Sequence, residues 1–501
     1  MQYVLGNMLN GGGINPDGLS LDLQFATDKT LTARRGPTPT FTRGSGATYI
    51  GSDGLIHGID TSTTSNSISA ASKTFTLDAT AGQDQLWRTG DAVEASSGAN
   101  IMAGTVTSYN ATTQSLVCNM TTASGSGTFT SWRIGYRGPR FDHTAAGVCR
   151  GLLIEEGRTN AFQHSSNFKD TTSSNYWANQ TATTITVDQI ASPDGGVNAD
   201  LLSTSTSSFD CFTRRSNFWA GSTQYTYSIF VKRGPSNYRY VGLYIGAGAT
   251  ATQFPYFDFD NPTTVQIPTI TSGTINSTRV DAYPNGWYRI IITFTTAATP
   301  ITLFGGVYIS ASNGVIQENN TAGNNCYIWG IQSELGSFPT SYIPTTTGTL
   351  ARSADVCSIA NTASFWNSSE FTVFTHANFV TSGIDTYASN FNITSGFFGV
   401  RRNGSNVASA IIRSSGVNAD INLGAFATGS MRMAAAHSTG QQAAALNGGS
   451  ATQASSAFSP SLNPALNIGY SGTTGYINGH IAAIRYYKKR LPNAKLVALT
   501  T

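Results

Sequence analysis

Only 11% of the 501 residues are charged, against roughly 25% in ordinary soluble domains, and the net charge is +3. The near balance of 29 basic and 26 acidic side chains excludes an electrostatic nucleic-acid binder. No apolar run approaches the ~18 residues of a membrane-spanning helix, and 40% hydrophobic residues are too many for a disordered chain.

The length allows about three domains. Abundant Ser, Thr, Asn and Gly with 11% aromatics suits many short strands with hydroxylic outer faces and argues against a helical bundle. Met1–Asn7 has neither the basic start nor the apolar run of a signal peptide. The five cysteines, Cys118, Cys149, Cys211, Cys326 and Cys357, are dispersed, with no CxxC. They read as buried free thiols of a chain made in a reducing cytoplasm.

In chain order, Gly11–Gly13 reads as a hinge and Leu21–Phe25 as a half-buried strand. Thr38–Gly44 reads as extended chain, and Asp53-Gly54 marks a tight turn. Residues 61–72 read as a Ser/Thr/Asn linker. Lys73–Leu77, Gly104–Tyr109, Ser115–Asn119 and Gly125–Ile134 follow as strands of a small β-module, with a hairpin at Asn110–Thr113. Beyond a bridge at 139–160, strands are expected at Tyr225–Lys232, Tyr240–Ile245, Trp287–Phe294, Leu303–Ile309 and Cys326–Gln332. Their close spacing suits a two-sheet sandwich or jelly roll. Residues 340–356 read as a Thr/Pro-rich linker. Phe371–Ala377, Phe397–Arg401 and Gly479–Tyr487 are strands of a last all-β part, and Met431–His437 and Asn493–Leu499 are its two predicted helices. Gly246–Ala251 imitates a dinucleotide fingerprint, but no helix start follows it.

Four segments resemble bacteriophage tail and fibre proteins. Gly104–Ile134 resembles a small β-module of that class and Pro139–Asn160 a connector. Tyr225–Ser228, Asn285–Arg289 and Ile328–Val356 resemble a jelly-roll, carbohydrate-binding-module-like domain. Asn478–Leu499 is similar to the end of a laminin-G/concanavalin-like sandwich. The resulting expectation is an all-β, multi-domain chain. It comprises a virion-attachment segment (1–57), a small β-module (58–138), a connector (139–160), a jelly roll (161–357) and a concanavalin-like sandwich (358–501). The resemblance implies a virion-surface protein, a tail fibre, tail spike or head fibre of the usually homotrimeric kind, and the missing catalytic constellations make a non-enzymatic tail fibre or related appendage the expectation. Its partners would be other virion proteins and host-surface polysaccharide. The alternatives are a structural capsid decoration or head fibre protein and a glycan-degrading tail spike.

Sugar rings present C–H faces that stack on aromatic side chains, which makes aromatics outside strand cores the candidates for glycan binding. These are Tyr176, Trp177, Phe218, Trp219, Tyr238 and Tyr256, whereas Trp287 and Trp329 belong to strand signatures and read as core. Asp258, Asp260 and Asn261 cluster as oxygen ligands for a structural calcium, which lectin-like jelly rolls often bind; no other cofactor is expected. Glycosidase chemistry needs two facing carboxylates. Glu155 and Glu156 are adjacent, Glu334 lies in the jelly roll's closing motif, and Asp258 and Asp260 share a strand face; all are expected to serve as turn and strand-end hydrogen-bond partners. The six histidines include no pair at metal-ligand spacing. Arg485, Lys488, Lys489 and Arg490 form a basic cluster that reads as a solvated face.

Overall fold

The computed structural model describes residues 17–78, 87–169, 177–179, 183–205, 212–217, 219–246, 254–267, 273–298, 303–309, 321–380, 385–393, 396–414, 417–426, 428–455, 464–472 and 474–501. The Gly11–Gly13 hinge and most of the Gly246–Ala251 segment lie outside them. The protein is all-β, built from antiparallel sheets stacked as sandwiches. Its helical segments among the described residues are Phe25–Asp28, Asn493–Thr500 and one 3₁₀ turn.

Alternation sets the strands. In Ser72–Thr76, Lys73 and Phe75 are buried while their neighbours are exposed, as a period of two demands. This strand joins the six-stranded sheet of the small module, whose core holds Phe75, Met102, Leu116 and Trp132. The hairpin falls where expected, between Asn100–Asn110 and Ser115–Ser124. The predicted strand Gly125–Ile134 is instead two, Thr128–Phe129 and Trp132–Tyr136, in different sheets. The expected linker at 61–72 contributes to the strands Ile59–Ser62 and Asn66–Ser67.

The jelly roll consists of two six-stranded sheets. One runs Thr183–Ala191, Val197–Thr204, Asn325–Leu335, Gln224–Arg233, Trp287–Thr296 and Gly273–Tyr283; the other contains Leu303–Ile309, Tyr240–Gly246 and Tyr256–Asp258. Tyr227, Ile229, Ile290, Ile292 and Phe257 fill the space between them.

The last sandwich pairs an eight-stranded with a seven-stranded sheet, and here the domain boundaries need correction. Its strand Gly479–Tyr487 pairs on one side with Glu370–Phe379. On the other it pairs with Cys149–Ile154 and Leu19–Leu23. Thr40–Thr42 pairs with Val356–Ile359 in the opposite sheet. The segments expected as a virion attachment (1–57) and a connector (139–160) therefore supply strands to this sandwich. Leu21, Phe25, Leu152 and Ile154 are buried in its core beside Phe371 and Tyr486. The small module and the jelly roll are inserts within one discontinuous unit.

Met431–His437, predicted helical, belongs to the strand Gly429–Ser438. Its alanines carry high helix propensity, but pairing on both sides, with Glu370–Phe379 and Gln441–Leu446, overrides it. Ala434, Ala436, Ala443 and Ala445 pack with Leu491 and Leu496, seating the C-terminal helix on a face of small side chains.

The units are joined by a buried ionic network. Arg140, fully buried, donates from Nη2 to Asp355 Oδ2 (2.5 Å) and from Nη1 to Ser341 Oγ (2.8 Å) and the Thr48 carbonyl (2.9 Å). It also lies 2.8 Å from Glu155 Oε2. Arg43 Nη1 donates to the other Asp355 oxygen at 3.0 Å, and Arg352 stands 3.6 Å from Glu155. Glu155 accepts the Ser341 N–H (2.7 Å) and hydroxyl (2.8 Å), which pins the 340–356 segment. That segment is packed, with Tyr342 and Ile343 buried, and does not act as a free linker. Burial pushes the Glu155 carboxyl up from 4.5, but Arg352, Arg140 and the Ser341 hydrogen bonds outweigh it and hold it at about 2. Asp355 is likewise lowered: burial opposes, and Arg140 and Arg43 prevail.

Removing one member strands a buried charge, so Arg140→Met is expected to cost about 3–5 kcal/mol in denaturant unfolding. A folded pKa below the unfolded one makes the Glu155 contribution complete above pH 4.5, declining as pH falls and gone below about 2. Urea midpoints measured across that interval should fall steeply in the wild type. Glu155→Gln should be less stable at neutral pH and shallower in the acid range.

Candidate functional site

The second jelly-roll sheet presents an aromatic face. Tyr240–Gly246 pairs antiparallel with Tyr256–Asp258, Tyr240 opposite Asp258 and Gly242 opposite Tyr256. Val241 and Phe257 point into the core. The two-residue period therefore turns Tyr240, Tyr256 and Asp258 to the other face. Tyr238 and Tyr240 meet edge to face at 6.3 Å between centroids, and Tyr240 and Tyr256 at 5.9 Å. All three rings are partly exposed.

Guanidinium groups border this tyrosine row. Arg239 lies 5.1 Å from the Tyr240 ring centroid, within cation–π range. It grips Asp258 bidentately, Nε to Oδ1 and Nη2 to Oδ2, both at 2.6 Å. Arg239 also reaches Asp260 at 3.2 Å, and Arg233 bonds Asp260 from the other side. The hydrogen bond from Arg239 lowers the Asp258 pKa; burial opposes it, and the Asp260 N–H and the charges of Arg239 and Arg233 add to the lowering. Burial, then Tyr240 and Asp258, raises that of Tyr256, whose hydroxyl therefore stays a donor.

Deeper on this face Tyr308 lies over Gly242 and donates to the Phe254 carbonyl at 3.2 Å. A Cβ at residue 242 would stand 1.9 Å from the Tyr308 ring, so only glycine lets that ring lie flat. Phe254 covers Tyr244 at 4.5 Å between centroids, closing the inner end, while Tyr240 and Tyr256 stay partly exposed.

The site residues named from sequence divide into two groups. Tyr238, Tyr256, Asp258 and Asp260 come together in this one patch, with Asn261 exposed at its rim. Trp177 and Trp219 do not join it and are corrected to core: they are only 3% and 4% exposed. Trp177 stacks on Phe162 and donates to the His164 carbonyl at 3.2 Å. Trp219 packs edge-on against Phe294 at 4.7 Å and donates to Ser333 Oγ at 2.9 Å. Neither ring face is free for a sugar. Tyr176 and Phe218 lie outside the described residues. Trp287 and Trp329 are buried, as their strand positions implied.

The expected calcium ligands face guanidinium groups: both Asp258 oxygens are engaged by Arg239, and Asp260 by Arg239 and Arg233. Among the described residues no group of three His, Cys, Asp or Glu side chains could hold a metal ion. The other carboxylates also have structural partners. Glu156 pairs with Arg158 at 2.6 Å, and buried Glu334 accepts from Thr340 and Gln332. In the basic cluster, Arg485 is tied to Asp22 and Arg490 to Asn493.

Arg239, Arg233 and Tyr240 were missing from the sequence-derived site. The Tyr238-Arg239-Tyr240 run entering a strand is the signal that points to them, because it brings two rings and a cation to one strand end.

No protein-family model matches the chain, and no curated protein matches it. Among solved structures it is similar to the CBM40 of Ruminococcus gnavus IT-sialidase bound to α2,6-sialyllactose. There the identity is 15% and the TM-score 0.24, over 27% of this chain and 85% of that one. Domains LG4-5 of the mouse laminin α1 chain give 8% identity and a TM-score of 0.20 over 68% and 95%. Trypanosoma rangeli sialidase in complex with the inhibitor DANA gives 8% and 0.24 over 96% of each chain. The β-sandwich assignment rests on the strand pairing described above.

Calcium or a chelator should leave the thermal midpoint unchanged, read by scanning calorimetry. Trp219→Ala should register as a core deletion, about 3–5 kcal/mol in unfolding.

Proposed function

We propose that this chain is a non-enzymatic glycan-binding protein, carried on the surface of a tailed-phage virion as an appendage module. The observation that carries the glycan reading is the partly exposed pair Tyr240 and Tyr256, with Tyr238 edge-on to Tyr240 and the Arg239–Asp258 fork beside it. The rings offer flat apolar surface to sugar C–H faces, and the fork offers donors and acceptors to hydroxyls without needing to move. A shallow patch of this kind binds weakly. Several copies on one particle would convert weak contacts into lasting adsorption, and a homotrimer presenting three patches is the assembly this reading entails.

Binding without cleavage is supported by the carboxylates. Retaining or inverting hydrolysis requires one carboxyl held protonated near neutral pH opposite a second. Asp258 is pushed the other way by Arg239 and Glu155 by its arginines. The virion assignment is supported by the sequence resemblance in the β-module, the jelly-roll signatures and the final strand.

The test is saturable binding of purified chain to host cells, competed by host surface polysaccharide. Tyr240→Ala is expected to weaken binding roughly tenfold, the ~1.4 kcal/mol of one lost ring contact, with an unchanged thermal midpoint. Folded chain that does not bind, or polysaccharide that does not compete, would overturn the reading in favour of a structural virion part. Depolymerised polysaccharide after incubation would overturn the non-enzymatic assignment.

A further inference from the structure

A cavity of about 290 Å³ opens where the discontinuous sandwich meets the jelly roll. That volume is at the lower end for small-molecule sites and suits one sugar ring rather than an oligosaccharide. Its wall combines side chains far apart in sequence. Asp142 comes from Arg140–His143, His480 from Gly479–Tyr487, and Arg279, Asp281 and Tyr283 from the jelly-roll strand Gly273–Tyr283. Arg150 adds a positive charge from the hairpin partner of Arg140–His143.

Two of these groups have unused binding capacity. His480 is 5% exposed. Its Nε2 is 2.8 Å from Asp142 Oδ2, while Asp142 Oδ1 accepts the Ile50 N–H at 2.6 Å. With Nε2 engaged by the carboxylate, Nδ1 is the ring nitrogen left to bond a ligand. That nitrogen is buried and has no hydrogen-bond partner among the described residues. Arg150 is exposed, and no ion pair or hydrogen bond engages it among the described residues. The remaining charges are committed, Arg279 to Asp281 at 2.8 Å, Arg289 to Ser228 and the Thr340 carbonyl, and Glu155 to Arg140 and Ser341. Burial keeps the Tyr283 hydroxyl protonated, with its pKa raised to about 12 despite Arg289, so it can donate. Ile50 and Val280 give the same wall apolar surface.

We propose that this cavity is a second ligand site, one that takes a single carboxylated sugar unit. Arg150 supplies the counter-charge, His480 Nδ1 hydrogen-bonds a hydroxyl, and Tyr283 donates to an oxygen of the ring. The ligand would touch the sandwich strands Arg140–His143, Cys149–Ile154 and Gly479–Tyr487 and the jelly roll together, and binding would stiffen their junction by linkage. The inference rests on the cavity and is independent of the tyrosine patch.

The experiment is calorimetric titration of the full chain with D-glucuronate, with D-glucose and sulfate as comparison ligands. Saturable millimolar binding of glucuronate, at least tenfold weaker binding of glucose and sulfate, and a roughly tenfold loss in Arg150→Ala are expected. Arg150 is exposed and unpaired, so the variant's unliganded melting temperature should match wild type. Tyr240→Ala should bind glucuronate normally, which separates failure of this site from failure of the patch. Absence of saturable binding overturns the proposal, as does binding that Arg150→Ala leaves intact. Glucose or sulfate binding as well as glucuronate overturns the assignment to a carboxylated sugar.

Discussion

Three arginines and two carboxylates, closed off from water, hold this molecule together. Arg43, Arg140 and Arg352 surround Asp355 and Glu155, and the segments that bring them are spread over more than 300 residues. Ion pairs buried this deeply are a poor source of net stability compared with apolar packing. Their effect here is positional. A guanidinium fork accepts few geometries, so the first strands, the connector, the end of the jelly roll and the start of the last sandwich are fixed in one relative arrangement.

Much of the local structure was legible because alternation is a local signal. Ser72–Thr76 shows it, whereas Gln224–Arg233, Trp287–Thr296 and Gly479–Tyr487 are aromatic and β-branched runs buried along most of their length; each of those three is a strand within a residue or two of the predicted limits. What was not legible is which strands share a sheet. Leu19–Leu23 reads the same whether it starts a separate segment or docks beside a strand that ends at Tyr487. The Met431–His437 error has a related cause: a run of alanines states a local preference, and partners on both sides decide otherwise.

The candidate site was half legible for similar reasons. Tyr238, Tyr256 and the nearby aspartates were chosen by residue type and location, and the fold places them together. Trp177 and Trp219 were chosen on the same grounds and are enclosed. A tryptophan near a strand end can turn inward or outward, and nothing within a few residues of it determines which. Asp142 and His480 are 338 residues apart, so their contact has no sequence signature at all.

The placement of Gly479–Tyr487 has a consequence for biosynthesis. This strand is interior to its sheet, flanked by strands from residues 19–23, 149–154 and 370–379, and it leaves the ribosome after all of them. The small module and the jelly roll, whose strand pairing is internal, can fold while translation continues. The sandwich around them waits with an unfilled slot between two exposed strand edges, the kind of template that invites pairing between nascent chains. On a polysome, neighbouring chains would hold such slots at high local concentration. Completion of each molecule, and its escape from aggregation, therefore depends on one strand near residue 480 arriving before a strand from another chain does.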